Sequence, residues 1–292
     1  MAALLADRPR DLLIAGHVNV DRFLTVPSFP PEDRTVPILA SRAELGGTAA
    51  NLALVAAGFG VTAGIVARIG EGFPEEFLAR LERARVDVRA VTRVRGASTP
   101  TCYIVEDERG GQRTLIDQGA ESRAAHVRIP HDVLREYAWL HVTTGDPAYQ
   151  HRLARAARRA GLHLSFDPAQ EIHYRWDRRP FREVLSSAEV LFGNRAEIDR
   201  ATVLIDGTSP EDLLRRVPLV VRTEGKNGAT AFSRTGQVHV PSQRPRRLVR
   251  LVGAGDAFRG GFYAAWFGGQ PLRECLGAGT RSAARWIERS DR

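Results

Sequence analysis

The sequence predicts an α/β protein in three layers, a mostly parallel sheet covered by helices on both faces. Apolar runs of strand length alternate with helix-period segments along most of the chain, and glycine or proline separates them. With 292 residues, 43% of them hydrophobic, there is material for one large domain, or for a domain with a smaller appendage.

Asp11 to Gly16 reads as a buried strand ending in a glycine turn. Ala49 to Phe59 is a helix of small apolar residues stopped by Gly60, and Val61 to Ile69 follows as a strand. Pro74 to Arg85 places charged and apolar residues at helical spacing. Further strands fall at Trp139 to Thr143, Leu162 to Phe166, Glu189 to Phe192 and Leu219 to Arg222. Helices are expected at Ala148 to Ala160, closed by Gly161, and at Ser209 to Arg215, with Ser209 as N-cap and Pro210 at the first position. Pro271 to about Trp286 closes the chain as a helix.

Two stretches, residues 22–43 and 98–118, have strand character without intervening helices. The second holds Thr101 to Glu106 and Arg113 to Asp117 around the turn Asp107-Glu-Arg-Gly-Gly111, a hairpin signal. They predict a small β sheet that leaves the main layers as a lid, with exposed strands open to pairing with a second copy.

Met1 to Arg10 has no apolar core of signal-peptide length, and no stretch is long enough to span a bilayer. Cys102 and Cys275 lie far apart and outside metal spacing, and the eight histidines show none either, so a reduced, cytoplasmic protein is expected. The net charge of +8 is spread along the chain, and its one cluster, Arg244 to Arg250, is not interleaved with aromatics. That distribution suits small phosphorylated ligands better than nucleic acid. Of the 42 basic residues, Lys226 is the one lysine, and a compact ammonium suits a phosphate as a point charge.

Gly253-Ala-Gly-Asp-Ala-Phe258 is the densest chemical signal. Small residues at a helix start let an anion approach free backbone N–H groups, and Asp256 then projects beside that anion. Donors for a transferring phosphate and a base for an alcohol are what phosphoryl transfer to a hydroxyl requires. Read alone, the same residues are a glycine turn with a helix-start Asp.

Four other places corroborate the first reading: Gly46-Gly-Thr-Ala-Ala-Asn51 before a helix, Gly16-His-Val-Asn-Val-Asp21 ending the first strand with an amide and a carboxylate on one side, Phe192-Gly-Asn-Arg-Ala-Glu197 and Thr223-Glu-Gly-Lys-Asn-Gly228 at later strand ends. In an open parallel sheet, ligands bind off the carboxyl ends of the strands. Each motif also has a plain reading: Asn194 and Glu197 as a helix cap and its solvated first turn, Asp146 and Asp167 as turn formers beside Pro147 and Pro168.

Taken together, the motifs resemble the PfkB or ribokinase-like family of sugar and nucleoside kinases over nearly the whole chain. Thr143-Thr-Gly-Asp-Pro147 and Ser165-Phe-Asp-Pro-Ala-Gln-Glu171 look most like its broad-specificity nucleoside kinase branch known from archaea. The resemblance implies a ribokinase-like α/β/α sandwich with a small β-sheet lid. It implies transfer of the ATP γ-phosphate to a nucleoside 5′-hydroxyl, with a ribose or fructose kinase, or a catalytically silent binder, as alternatives. Asp256 would be the base, and Gly253, Ala254 and Gly255 the anion hole. Asn19, Asp21, Gly47 and Asn51 would hold the substrate hydroxyls. Asn194, Thr223, Gly225, Lys226 and Gly228 would line the ATP site, and Glu197 would act through Mg²⁺ and its waters.

One departure stands out. Members of the family usually carry an Asp three residues before the Gly-Ala-Gly-Asp motif, where it helps hold a monovalent cation, and Arg250 stands there in this chain. The chain also ends at Arg292, where the family's remaining cation ligands would lie. No ordinary K⁺ site is therefore expected, and the Arg250 guanidinium would supply the missing charge.

Overall fold

The structure, a computed structural model, describes residues 10–288. The first half of the chain forms β1 (Arg10–Ala15), β2 (Asn19–Val26), β3 (Ala40–Gly46), α1 (Thr48–Gly58), β4 (Ala63–Glu71), α2 (Glu75–Arg83), β5 (Asp87–Ser98), β6 (Thr101–Asp107) and β7 (Gln112–Asp117). The second half forms α3 (His131–Leu134), β8 (Tyr137–Val142), α4 (Pro147–Arg159), β9 (His163–Phe166), α5 (Arg178–Leu185), β10 (Val190–Asn194) and α6 (Arg195–Leu204). It ends with β11 (Leu219–Thr223), β12 (Ala229–Ser233), β13 (Gly236–Val240), α7 (Ala254–Phe267) and α8 (Leu272–Glu288).

Nine strands make the main sheet in the order β13-β12-β11-β10-β9-β8-β1-β4-β5. The pairs from β11 to β5 are parallel, and β12 and β13 close one edge as antiparallel strands. Alternate residues of each central strand enter different cores. Leu13 and Ala15 pack with Leu153, Phe181 and Ile198 of α4, α5 and α6, while Leu12 and Ile14 pack with Leu52, Phe262 and Leu276 of α1, α7 and α8. A strand buried on both faces is what the near-continuous apolar runs of β1 and β8 encode.

Asp146 caps α4 by accepting the N–H of Tyr149 at 2.9 Å, with Pro147 at the first position. The segment Pro210–Arg215, expected as an α-helix, is a tighter 3₁₀ turn. β5, α5 and the β12–β13 edge were not legible. β5 alternates only weakly, and α5 sets its buried Phe181, Val184 and Leu185 among arginines and a proline.

The second sheet has four strands in the order β3-β2-β6-β7. It begins earlier than the sequence suggested, since Asn19 and Asp21 open β2 rather than ending β1. The β6–β7 hairpin turns where Asp107 Oδ1 accepts the N–H groups of Arg109 and Gly111. No helix among the described residues is long and apolar enough to cross a membrane. The signal-peptide reading of Met1 to Arg10 falls, but for Arg10, outside the described residues.

Candidate active site

The strand order reverses between β1 and β8, and crevices at such switch points, off the carboxyl ends of the strands, are where open α/β sheets bind ligands. Of the sequence-predicted residues, Asn19, Asp21, Gly47, Asn51 and Gly253 to Asp256 are brought together after β1, while Asn194, Thr223, Gly225, Lys226 and Gly228 lie at the ends of β10 and β11. α7 begins at Ala254 behind Gly253, whose φ of 83° is left-handed, and Asp256 stands in its first turn. Trp286 of α8 backs this turn: its Nε1 donates to the carbonyl of Val252 at 2.8 Å, and a Cβ on Gly253 would meet its ring at 2.8 Å.

Asn51 Nδ2 donates to Asp256 Oδ2 at 3.0 Å, so α1 and α7 meet at this carboxylate. α1 reaches this position because Gly47, at φ 98°, turns the chain against the backbone of His17, where a Cβ would lie 2.3 Å from the His17 carbonyl oxygen. Asp21 is buried and packs on Gly46, with the Asn19 side chain bonded to it. The Oδ1 atom of Asn19 is buried without a partner, an acceptor poised beside a carboxylate.

Burial dominates the electrostatics. It pushes Asp21 up to about 7, against the pull of Arg250 and with the added push of Asp256. It lifts Asp256 to about 6, opposed by Arg259 and by the bond from Asn51. A helix N-terminus favours a charged Asp256, but desolvation by burial is the larger influence.

The Arg250 guanidinium meets Glu44 Oε2 of β3 at 3.2 Å and lies 4.9 Å from the Trp286 ring centre. Glu44 is the register partner of Asp21, so this arginine ties the anion-hole loop to the small sheet.

The residues expected to line the nucleotide form a second group at the ends of β10 and β11. Asn194 and Thr223 are register partners at the ends of β10 and β11. Asn194 and Glu197 make a capping box: Asn194 Oδ1 accepts the Glu197 N–H at 2.9 Å and Glu197 Oε2 the Asn194 N–H at 2.6 Å. The cap reading therefore holds, but Glu197 is buried, not solvated. Gly225 and Lys226 are exposed in the turn after β11, and a Cβ on Gly225 would meet nothing within 4 Å. Gly228, at φ 98°, lies against the β13 backbone.

Among the described residues no cluster of three or more His, Cys, Asp or Glu is placed to cage a metal ion.

Sequence reasoning missed Asp167 and Arg259. Asp167 leaves β9 as a buried residue, and its carboxylate pairs with the Arg259 guanidinium of α7. Its position at the carboxyl end of a parallel strand was the available signal.

A base at a helix start, an anion-binding turn and a polar acceptor crevice in a doubly covered sheet define a phosphotransferase with an alcohol group as acceptor. The chain belongs to the pfkB family of carbohydrate kinases, which matches residues 9–291. It is 32% identical over 268 residues to the nucleoside kinase of Methanothermobacter thermautotrophicus, covering 91% of this chain and 85% of that one. It is 34% identical over 262 residues to the ATP-dependent ribose-1-phosphate kinase of Halopiger xanaduensis, covering 87% of this chain and 84% of that one. The crystal structure of Methanocaldococcus jannaschii nucleoside kinase, an archaeal member of the ribokinase family, matches this fold with a TM-score of 0.89 at 25% identity, over 97% and 93% of the two chains.

Proposed function

We propose that this chain transfers the γ-phosphate of ATP to the 5′-hydroxyl of a nucleoside. The observation that carries the reading is the contact of Asn51 with Asp256 beside the buried Asn19–Asp21 pair, which sets a base next to groups able to grip vicinal hydroxyls. Relatives named as nucleoside kinases from two archaea support a nucleoside over a free sugar.

Asp21 and Asn19 hold the ribose hydroxyls from β2, with Gly47 leaving room and Asn51 bridging to the base. Asp256 accepts the proton of the 5′-hydroxyl as its oxygen bonds to the γ-phosphorus, the bond from that phosphorus to the β,γ-bridging oxygen breaks and ADP leaves with the electron pair, and the N–H groups of Gly253, Ala254 and Gly255 stabilise the charge on the transferring group. Asn194, Thr223, Gly225, Lys226 and Gly228 line the nucleotide side. Glu197 would hold Mg²⁺ through water, and the ion would supply charge neutralisation at the phosphates when bound. The small sheet closes over the acceptor and excludes water, protecting ATP from hydrolysis. Its outer face, where Arg22, Tyr103 and Leu115 share one register row with Tyr103 and Leu115 exposed, forms the contact of a homodimer in the cytoplasm.

Release of ADP from ATP and Mg²⁺ tests the reading against nucleosides, ribose, fructose and ribose 1-phosphate. Turnover on nucleosides supports it. Turnover confined to the sugars keeps the family and discards the acceptor; binding without turnover on any of them makes the chain a silent relative.

A further inference from the structure

One turn beyond Asp256, α7 carries a charge inside the protein. Arg259 is only 6% exposed. Helical side chains lean toward the N-terminus, so this one runs back over the turn that holds the anion hole. Its guanidinium lies against Gly255, where a Cβ would stand 2.7 Å from Nη1. Gly255 thus leaves room for Arg259 as well as for an anion.

Asp167, arriving from the end of β9, pairs with that guanidinium. Burial opposes the Arg259 charge, but Asp167, then Asp256 and Glu197, hold it protonated. Groups from every side face this point. Asn51 comes from α1, Asp21 from β2 with Arg250 and Glu44 beside it, and Glu197 from α6. His141 of β8 has Nε2 3.9 Å from Asp167, but burial and Arg259 keep it neutral.

We propose that Arg259 is a positioning residue of the phosphoryl-transfer site, pinned by Asp167 so that its guanidinium backs the Gly253–Gly255 turn and sets a fixed positive charge beside the first turn of α7, where Asp256 stands. The proposal rests on the kinase reading of Asp256. It assigns the charge beneath the anion hole to Arg259, while Arg250 serves the acceptor side through Glu44. Among the influences on Asp256, Arg259 favours the charged form and Asp167 disfavours it. The two partners of one ion pair should therefore move the base in opposite directions, which a merely structural role does not do.

The test compares wild type with R259Q, R259K and D167N in two readouts. One is the acid limb of kcat/KM against pH, with whichever nucleoside the wild type phosphorylates. The other is the ¹³C titration of the Asp256 carboxyl in the free protein, assigned by its loss in D256N, which needs no turnover. R259Q should raise both by roughly one pH unit or more, R259K should restore most of that shift, and D167N should lower both. Variants that lose turnover while the limb and the titration stay in place would overturn the proposal. If R259Q does not fold, the directions of R259K and D167N decide the matter. If the wild type phosphorylates nothing, the kinase reading fails, and the Asp256 titration still decides whether Arg259 holds its charge.

Discussion

The amide of Asn51 reaches the carboxylate of Asp256 across a sequence separation of 205 residues, at 3.0 Å. That bond favours the ionised form of a carboxylate that burial disfavours. Replacing Asn51 with Leu keeps the volume and removes the donor. We expect kcat/KM to fall about 10- to 100-fold, as for loss of a hydrogen bond to a charged group, with the acid limb moving up. A pH–rate profile of the variant checks both.

The same carboxylates link activity and stability to pH. Proton transfer needs Asp256 ionised, so activity falls as pH drops through about 6. For stability the sign is opposite. The folded value lies above the ordinary 3.8, so this group favours the fold most below that value, and the contribution is lost as pH rises through about 6. At pH 8 the buried charge destabilises the protein by about 1–3 kcal/mol. D256N should therefore melt higher than wild type at pH 8, with the gap narrowing toward pH 5. An unchanged gap would show that the carboxylate is not desolvated.

Arg250 ties the anion-hole loop to the small sheet through Glu44 at 3.2 Å, and it also favours the charged form of Asp21. R250Q and E44Q should each raise KM for the acceptor about five- to tenfold, and the double variant should lose little more than either single one. Steady-state kinetics of this cycle measure the coupling.

With arginines at positions 250 and 259 around the anion hole, the enzyme should need no K⁺. Turnover in buffer free of Na⁺ and K⁺ should be unchanged by added K⁺, and strong activation would contradict this.

Gly253 turns at φ 83° with the Trp286 ring 2.8 Å from where its Cβ would stand. Alanine there meets about 1–2 kcal/mol of left-handed strain besides the collision. G253A should lower both Tm and affinity for ADP; an effect on Tm alone would separate the turn from the nucleotide site.

The parallel strands other than β5, and the helices ending at glycine stops, were legible because burial on two faces leaves continuous apolar runs, which the edge strand β5 lacks. Asn51, Asp256 and the glycines beside them could be picked out in the sequence because each follows a strand or opens a helix with small residues around it. Asn19 and Asp21 were assigned to the wrong strand because only residues 16–18 separate β1 from β2, too short a link to show as a break. Arg259 was hidden for a different reason. An arginine on a helix reads as a surface residue, and an Asp before Pro168 reads as a turn; only the packing of β9 against α7 makes them a buried pair.

The central claim is that Asp256 is the base. The direct measurement is turnover and nucleoside binding in D256N, followed by ADP release and by calorimetry. A loss of about 10²–10⁴ in kcat with affinity retained is the predicted result. Turnover equal to wild type would remove Asp256 from the chemistry.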